Sequence, residues 1–237
     1  MEKELQLQPR LQCIASLVPQ GARLADVGTD HGYLPVWLLQ HGRIESAIAS
    51  DINALPLDHA RATAREYGVT ERMDFRLCPG LAKIKAEECD AIAIAGMGGE
   101  TILGILEATP WTHEGVHTLI LQPQSAGQAL RLWLAENGYE MQQETLVQDG
   151  SFLYTVLTAR WDGEKRTLSP GEQFVSPQLR AENSPLLDAY IQRVENALRA
   201  TVEGLRGAEH PRPERLAYHE AALREIEEMR EHDAEGQ

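Results

Sequence analysis

The chain has 237 residues, 43% of them hydrophobic, and carries 36 acidic against 22 basic side chains for a formal net charge of −14. This length suits one α/β domain with a smaller appendage. The charge excludes a broad nucleic-acid-binding surface, so any RNA contact is local and weakens steeply with salt. No apolar run approaches the roughly 20 residues that span a bilayer. The charged start Met1-Glu-Lys-Glu4 lacks a signal-peptide core, so a cytoplasmic protein with no membrane partner is expected. Cys13, Cys78 and Cys89 are neither even in number nor at metal-ligand spacing and read as reduced thiols.

In chain order, residues 9–19 place Leu11, Ile14, Ala15 and Val18 at helical spacing. Apolar runs of strand length follow at Leu24–Gly28, Ile44–Asp51, Met73–Cys78, Ala91–Ala95 and Val116–Gln122. Amphipathic stretches separate them at Tyr33–Gln40, Leu55–Tyr67, Gly99–Ala108 and Ala126–Asn137. Strand–helix alternation with near-continuous apolar strands predicts a parallel sheet covered on both faces. Two β-rich runs, Glu140–Gln148 and Ser151–Trp161, are joined by Asp149-Gly150, a hairpin signal. A parallel sheet finished by an antiparallel hairpin is the layout of class I methyltransferases rather than of dinucleotide-binding domains, by analogy of fold.

After Trp161 the composition turns to loop residues, with three prolines between Gly163 and Pro185. Leu187, Ile191, Val194, Leu198, Thr201 and Leu205 then form a coiled-coil-like seam, broken from Gly207 to Pro213 and resumed by Leu216, Leu223, Ile226 and Met229. Two such helices are expected to fold back as an antiparallel hairpin. The arginines on its polar faces, Arg193, Arg199, Arg206, Arg212, Arg215 and Arg224, are candidates to touch a phosphate backbone. The polar tail from His232 is expected to fray. The predicted division is 1–162 for a cofactor-binding domain and 163–237 for a helical one.

The chemistry concentrates at three strand ends. The first, Asp26-Val-Gly28-Thr29-Asp30-His31-Gly32-Tyr33, is a glycine turn opening a helix, and Asp51 lies near the ~20-residue offset of a ribose-binding acid. A dinucleotide site would carry a glycine where Asp30 stands. A carboxylate repels a pyrophosphate and suits a ligand with positive charge, such as the ammonium and sulfonium of S-adenosylmethionine. The second, Ala95-Gly96-Met97-Gly98-Gly99, puts three glycines within four residues after an apolar strand, a cost justified where a ligand lies against backbone. The third ends in Gln122-Pro123-Gln124, whose amides suit a base edge. His113-Glu-Gly-Val-His117 fits the H-E-x-x-H zinc pattern, but Pro110 and Gly115 deny it the helix that chemistry requires. A solvated loop and no metal are expected there.

These elements resemble the bacterial tRNA (adenine(22)-N1)-methyltransferases. The resemblance is carried by Asp26-Val-Gly-Thr-Asp-His-Gly-Tyr-Leu-Pro35, Ile94-Ala-Gly-Met-Gly-Gly99, Leu119-Ile-Leu-Gln-Pro123, Arg131-x-Trp133-Leu134 with Asn137-Gly138, and the terminal helical pair. It covers most of residues 9–230. It implies a Rossmann-like, S-adenosylmethionine-dependent methyltransferase with a C-terminal helical coiled-coil domain, acting on tRNA, with no obligate protein partner indicated. Two departures stand out. Cys78-Pro79-Gly80-Leu81 replaces the family's Gly-Asp-Gly-Leu, so Pro79 offers no side chain to the cofactor's adenine. Ser176-Pro177 replaces a Gly-Pro and is expected to affect only the inter-domain turn.

The candidate cofactor-binding set is Asp26, Gly28, Thr29, His31 and Gly32, then Asp51, Ile52 and Asn53, then Gly80 and Leu81, and finally Ala95, Gly96 and Met97. The candidates for catalysis are Asp30, which either stabilises the developing charge on the base or holds the methionine ammonium, Gln122 and Gln124 as base readers, and Tyr33 as a stacking platform. The acidic net charge favours a methyltransferase with another acceptor, a small molecule or a protein; a noncatalytic cofactor- or RNA-binding adaptor is the alternative from another class.

Overall fold

Alternate residues of an apolar strand face opposite sides of a sheet, so runs without polar interruption demand cover on both. The computed structural model, which describes residues 4–208, 210 and 212–235 with the last four as backbone alone, meets that demand. Strands β1 (Ala22–Val27), β2 (Ile44–Asp51), β3 (Met73–Leu77), β4 (Ala91–Gly98) and β5 (Thr118–Ser125) are parallel, and β6 (Tyr139–Asp149) and β7 (Phe152–Trp161) complete the sheet in the order β3-β2-β1-β4-β5-β7-β6. Both β5·β7 and β6·β7 are antiparallel. On β1, Leu24 joins one buried layer with Ile14 and Leu38, while Ala25 and Val27 join the other with Ile102 and Leu130.

Helices α1 (Pro9–Leu17), α2 (Tyr33–Gln40), α3 (Ala54–Glu66), α4 (Gly99–Glu107) and α5 (Gly127–Glu136) supply those layers. The predicted first helix stops two residues early, because Val18 precedes Pro19 and is held extended (φ −71°, ψ 126°). The expected glycine loop after Ala95 is instead strand: β4 runs on through Gly96, Met97 and Gly98, with register shifts that pair Met97 with Pro123. The fifth strand, expected over Val116–Gln122, is shifted along the chain: β5 starts at Thr118 and takes in Pro123, Gln124 and Ser125.

Beyond Trp161, two short helices appear where only turns are expected, α6 (Pro170–Phe174) and α7 (Pro177–Ala181). Ser169 and Ser176 cap them, accepting hydrogen bonds from the Glu172 and Leu179 backbone N–H groups. Then α8 (Leu187–Arg206) packs antiparallel on α9 (Pro213–Glu235), tied by Arg199–Glu227 at 2.5 Å and Arg206–Glu220 at 2.7 Å. The buried seam follows Leu187, Ile191, Val194 and Leu198 as expected, but continues at Val202 while Thr201 and Leu205 are only half-buried. Helix α9 continues through Glu235, past the expected fraying point; Met1–Lys3, Glu209, Pro211, Gly236 and Gln237 lie outside the described residues.

The hairpin is not a free-standing unit. Its core takes in Leu146 of β6 and packs on Leu153 of β7. Beside it, Arg131 of α5 donates to both Glu144 carboxylate oxygens from Nε at 3.0 and 3.1 Å, and to the Gln173 carbonyl at 2.9 Å. Ser176 Oγ donates to Glu144 Oε2 at 2.6 Å. Ser176 is therefore more than the turn residue expected: fully buried, it caps α7 and completes an ion-pair network between sheet and helices. No helix among the described residues is long and apolar enough to cross a membrane.

Candidate active site

The strand order reverses between β1 and β4, and the crevice outside their carboxyl ends is where open α/β sheets bind ligands. A cleft of about 930 Å³ occupies that place. Asp26, next to last on β1, lines its floor, and the turn beyond is pinned by the Gly28 and Thr29 N–H groups, which donate to the Ser50 carbonyl at 2.8 and 3.1 Å. Gly28 has φ +74°, a backbone conformation that favours glycine, and a Cβ there would stand 2.1 Å from Met97 Cε and push that flexible side chain aside.

The electrostatics of the floor are unusual. Asp26 is 8% exposed, and among the described residues no cationic side chain forms an ion pair with it. Burial pushes its carboxyl up to about 6; the nearby Thr29 hydroxyl works against that shift and the charge of Asp51 adds to it. Beside it, Thr29 Oγ1 is buried with no hydrogen-bond partner. An unpaired carboxylate and an orphaned hydroxyl around a bare glycine backbone fit a polar ligand that brings a cation.

The other predicted residues divide. Asp30, His31, Gly32 and Tyr33 line the cleft with Ala95, Gly96 and Gln124. Asp51, Ile52 and Asn53 sit outside its enclosed part at the tip of β2, where Asp51 Oδ1 accepts from the Asn53 N–H at 2.7 Å and Ile52 is 68% exposed. That is an open shelf suited to a nucleoside. Leu81 does not join it: the side chain is buried in the core with Ile84 and Ile94, leaving only backbone here to face a ligand. Gly80 keeps φ +52° against Ile105, at 2.9 Å from the position of a Cβ.

Gln122 and Gln124 part company. Gln122 is fully buried; its Oε1 accepts from Arg10 Nη1 at 2.8 Å and the Gly96 N–H at 3.0 Å, and its Nε2 donates to the Pro123 carbonyl. The expectation that it reads a base is corrected, since its polar atoms are engaged in holding the Gly96 backbone of β4 and Arg10. Gln124 is exposed and lines the cleft.

Sequence reasoning missed the outer walls. Residues 4–8, with Arg10 and Leu11, close one side, and Thr63 and Glu66 of α3 with Tyr67 just beyond it another. It also missed His59, whose ring stacks on His31 (centroids 4.7 Å, planes 7° apart) as His31 stacks on Tyr33 (5.1 Å, 8°). Arg10 and Gln122 are 112 residues apart, and no local pattern announces such a contact. Asp30, His31 and His59 bring ligand atoms within 4.8 Å of one another. Imidazole lone pairs lie in the ring plane, however, and two parallel stacked rings do not aim them at one ion. The His113–His117 segment is not the solvated loop expected: His117 is buried beside Trp111 with Nε2 3.0 Å from the Ala86 carbonyl, and His113 packs on Trp161.

Sheet order, terminal hairpin and cleft together define a Rossmann-like methyltransferase domain, and residues 7–157 match the family described as Methyltransferase domain. The tRNA (adenine(22)-N(1))-methyltransferase of Bacillus subtilis is 36% identical over 201 residues, 81% of this chain and 83% of the relative. The crystal structure of the B. subtilis M1A22 tRNA methyltransferase TrmK matches with a TM-score of 0.79 at 31% identity, covering 96% of this chain and 97% of that one. M. capricolum TrmK, solved with the cofactor product S-adenosyl-homocysteine, matches at 0.76 and 25% identity over 94% and 97%. This chain belongs to the tRNA (adenine(22)-N(1))-methyltransferase family.

Proposed function

We propose that the protein methylates N1 of an adenine in tRNA from S-adenosylmethionine, at position 22 as named for the B. subtilis relative. The observation that carries this is the buried, unpaired Asp26 on the floor of the crevice, in a chain of that family. Asp26 and Thr29 would hold the methionine ammonium end and Asp51 the ribose hydroxyls. With Asp26 in that role, Asp30 is left for the base. Its side chain is 79% exposed at the rim, 3.7 Å from His31.

S-adenosylmethionine supplies an electrophilic methyl group: the carbon–sulfur bond breaks toward sulfur as N1 forms its bond, and the base takes up the positive charge. Adenine N1 has an in-plane lone pair and is largely unprotonated at neutral pH, so the protein's main task is alignment rather than proton removal. Tyr33, 41% exposed and backed by His31, offers a stacking face. The amide of Gln124 faces the base edge, and the carboxylate of Asp30 lowers the cost of the charge that develops there. N1 lies on the pairing edge, so the adenine enters unpaired or flipped. Residues 163–237 contribute further tRNA contacts, and a protein acting on tRNA works in the cytoplasm.

Incubation with methyl-labelled S-adenosylmethionine and unmodified tRNA, followed by nucleoside analysis, is expected to yield 1-methyladenosine. Asp30→Ala is expected to lose methylation while keeping the fold and the affinity for S-adenosylhomocysteine. Full activity in that variant would remove Asp30 from the mechanism.

A further inference from the structure

Two cavities share Gln124. One is the cleft described above. The other, of about 510 Å³, lies between the start of β7 and the helical hairpin, with Phe152 and Tyr154 on one side and Arg193, Arg215 and His219 on the other. Its size falls in the roughly 300–1,000 Å³ range of small-ligand sites, and no role assigned so far uses it.

Phe152 and Tyr154 are two residues apart on β7 and so share a face, with ring centroids 6.0 Å apart. Phe152 leaves 64% of its surface in solvent. Arg193 is held in place from two directions: Nη1 donates to the Leu153 carbonyl at 2.8 Å, and the guanidinium carbon lies 5.2 Å from the Tyr190 ring centre. Arg10 stands at the junction of the two cavities, 5.7 Å from the Tyr154 ring and bonded to Gln122.

Among the described residues, no carboxylate forms an ion pair with Arg10, Arg193 or Arg215. By contrast Arg199 and Arg206 on the same hairpin are neutralised by Glu195, Glu227 and Glu220. On a protein of net charge −14, unneutralised arginines gathered around the exposed Phe152 ring and the half-buried Tyr154 ring complement a phosphodiester chain with unstacked bases. Flipping one base into the cleft leaves its neighbours partly unstacked.

We infer that this groove holds a second, unstacked nucleotide of the RNA, adjoining the one that is methylated. Its base lies on Phe152 and Tyr154, its phosphates face Arg193 and Arg215, and the strand passes Arg10 and Gln124 into the cleft. The inference rests on the RNA-methylating function proposed above.

The test uses the full chain, an unmodified tRNA transcript and fluorescence anisotropy over a series of salt concentrations, with calorimetry of S-adenosylhomocysteine alongside. Phe152→Ala is expected to weaken tRNA binding about ten-fold or more. Arg193→Gln with Arg215→Gln is expected to make the slope of log affinity against log salt shallower by about 2. Both variants should bind S-adenosylhomocysteine as the wild type does. Unchanged tRNA affinity and slope, in a protein that still methylates the transcript, would overturn the groove and leave the activity standing. A parallel loss of S-adenosylhomocysteine affinity would place the defect in the cleft or the fold and also overturn it. A wild type that neither binds nor methylates the transcript would overturn the function and the groove together.

Discussion

Asp26 and Glu144 are both buried carboxylates, 8% and 0% exposed, and their surroundings could hardly differ more. Glu144 meets a fully buried arginine and a serine hydroxyl, and its negative charge is answered within the chain. Asp26 has the negative charge of Asp51 near it, and among the described residues no cationic side chain forms an ion pair with it. A buried charge matched inside the protein ties elements together, here α5, β6 and α7. A buried charge left unmatched is a cost to folding that becomes intelligible when a cationic ligand completes the pair.

The sharpest way to break this contrast is to unmatch Glu144. Glu144→Ala leaves Arg131 charged and buried without its partner, and is expected to cost about 3–5 kcal/mol of stability in denaturant titration. A loss below about 1 kcal/mol would mean that the network is not what joins sheet and helices. The converse change at Asp26 should behave oppositely. Asp26→Asn removes an unpaired charge, so stability should hold or rise, whereas affinity for S-adenosylhomocysteine should fall by about 1.5–3 kcal/mol in calorimetry, the worth of a charged hydrogen bond. An unchanged affinity would leave the unmatched carboxylate without a ligand role.

The same contrast sets a pH dependence. Asp26 is raised from about 4 to about 6, so between those values the folded protein holds a proton that the unfolded chain has released. The associated stability, about 3 kcal/mol at most, is present below pH 4 and lost as the pH rises through 6. Binding a cation favours the ionised carboxylate, so affinity for S-adenosylhomocysteine should rise from pH 5 to 7 and then level off. In Asp26→Asn this component should be absent. The smallest effect is expected at Asp51, on the open shelf: Asp51→Ala should weaken cofactor binding about ten-fold with no change in thermal stability.

Much of this was legible in the chain. The five parallel strands were, because strands buried on both faces have to be apolar throughout; the hairpin was, because Asp149-Gly150 sits between two β-rich runs. The turn at Gly28 and its two acids were as well. The extension of β4 through Gly96–Gly98 was not, since glycines there suggest a loop and only pairing with Pro123 reveals a strand. Helix α6 carried a signal that went unread, the capping pattern Ser169-Pro-Gly-Glu172. Arg131 and Ser176 stood in motifs and Glu144 in none, and the three become a unit only when three elements meet. For the same reason, deleting residues 163–237 is no clean test of an RNA-binding domain. It would strip Leu146 and Leu153 of their cover and remove Ser176 from the network.

The central claim is that this cleft directs a methyl group to one adenine of tRNA, and paired transcripts test it most directly. A tRNA transcript with adenine at position 22 should gain one methyl group on N1 from labelled S-adenosylmethionine, and a copy with guanine there should gain none. Equal labelling of both, or label on an atom other than adenine N1, would contradict the account.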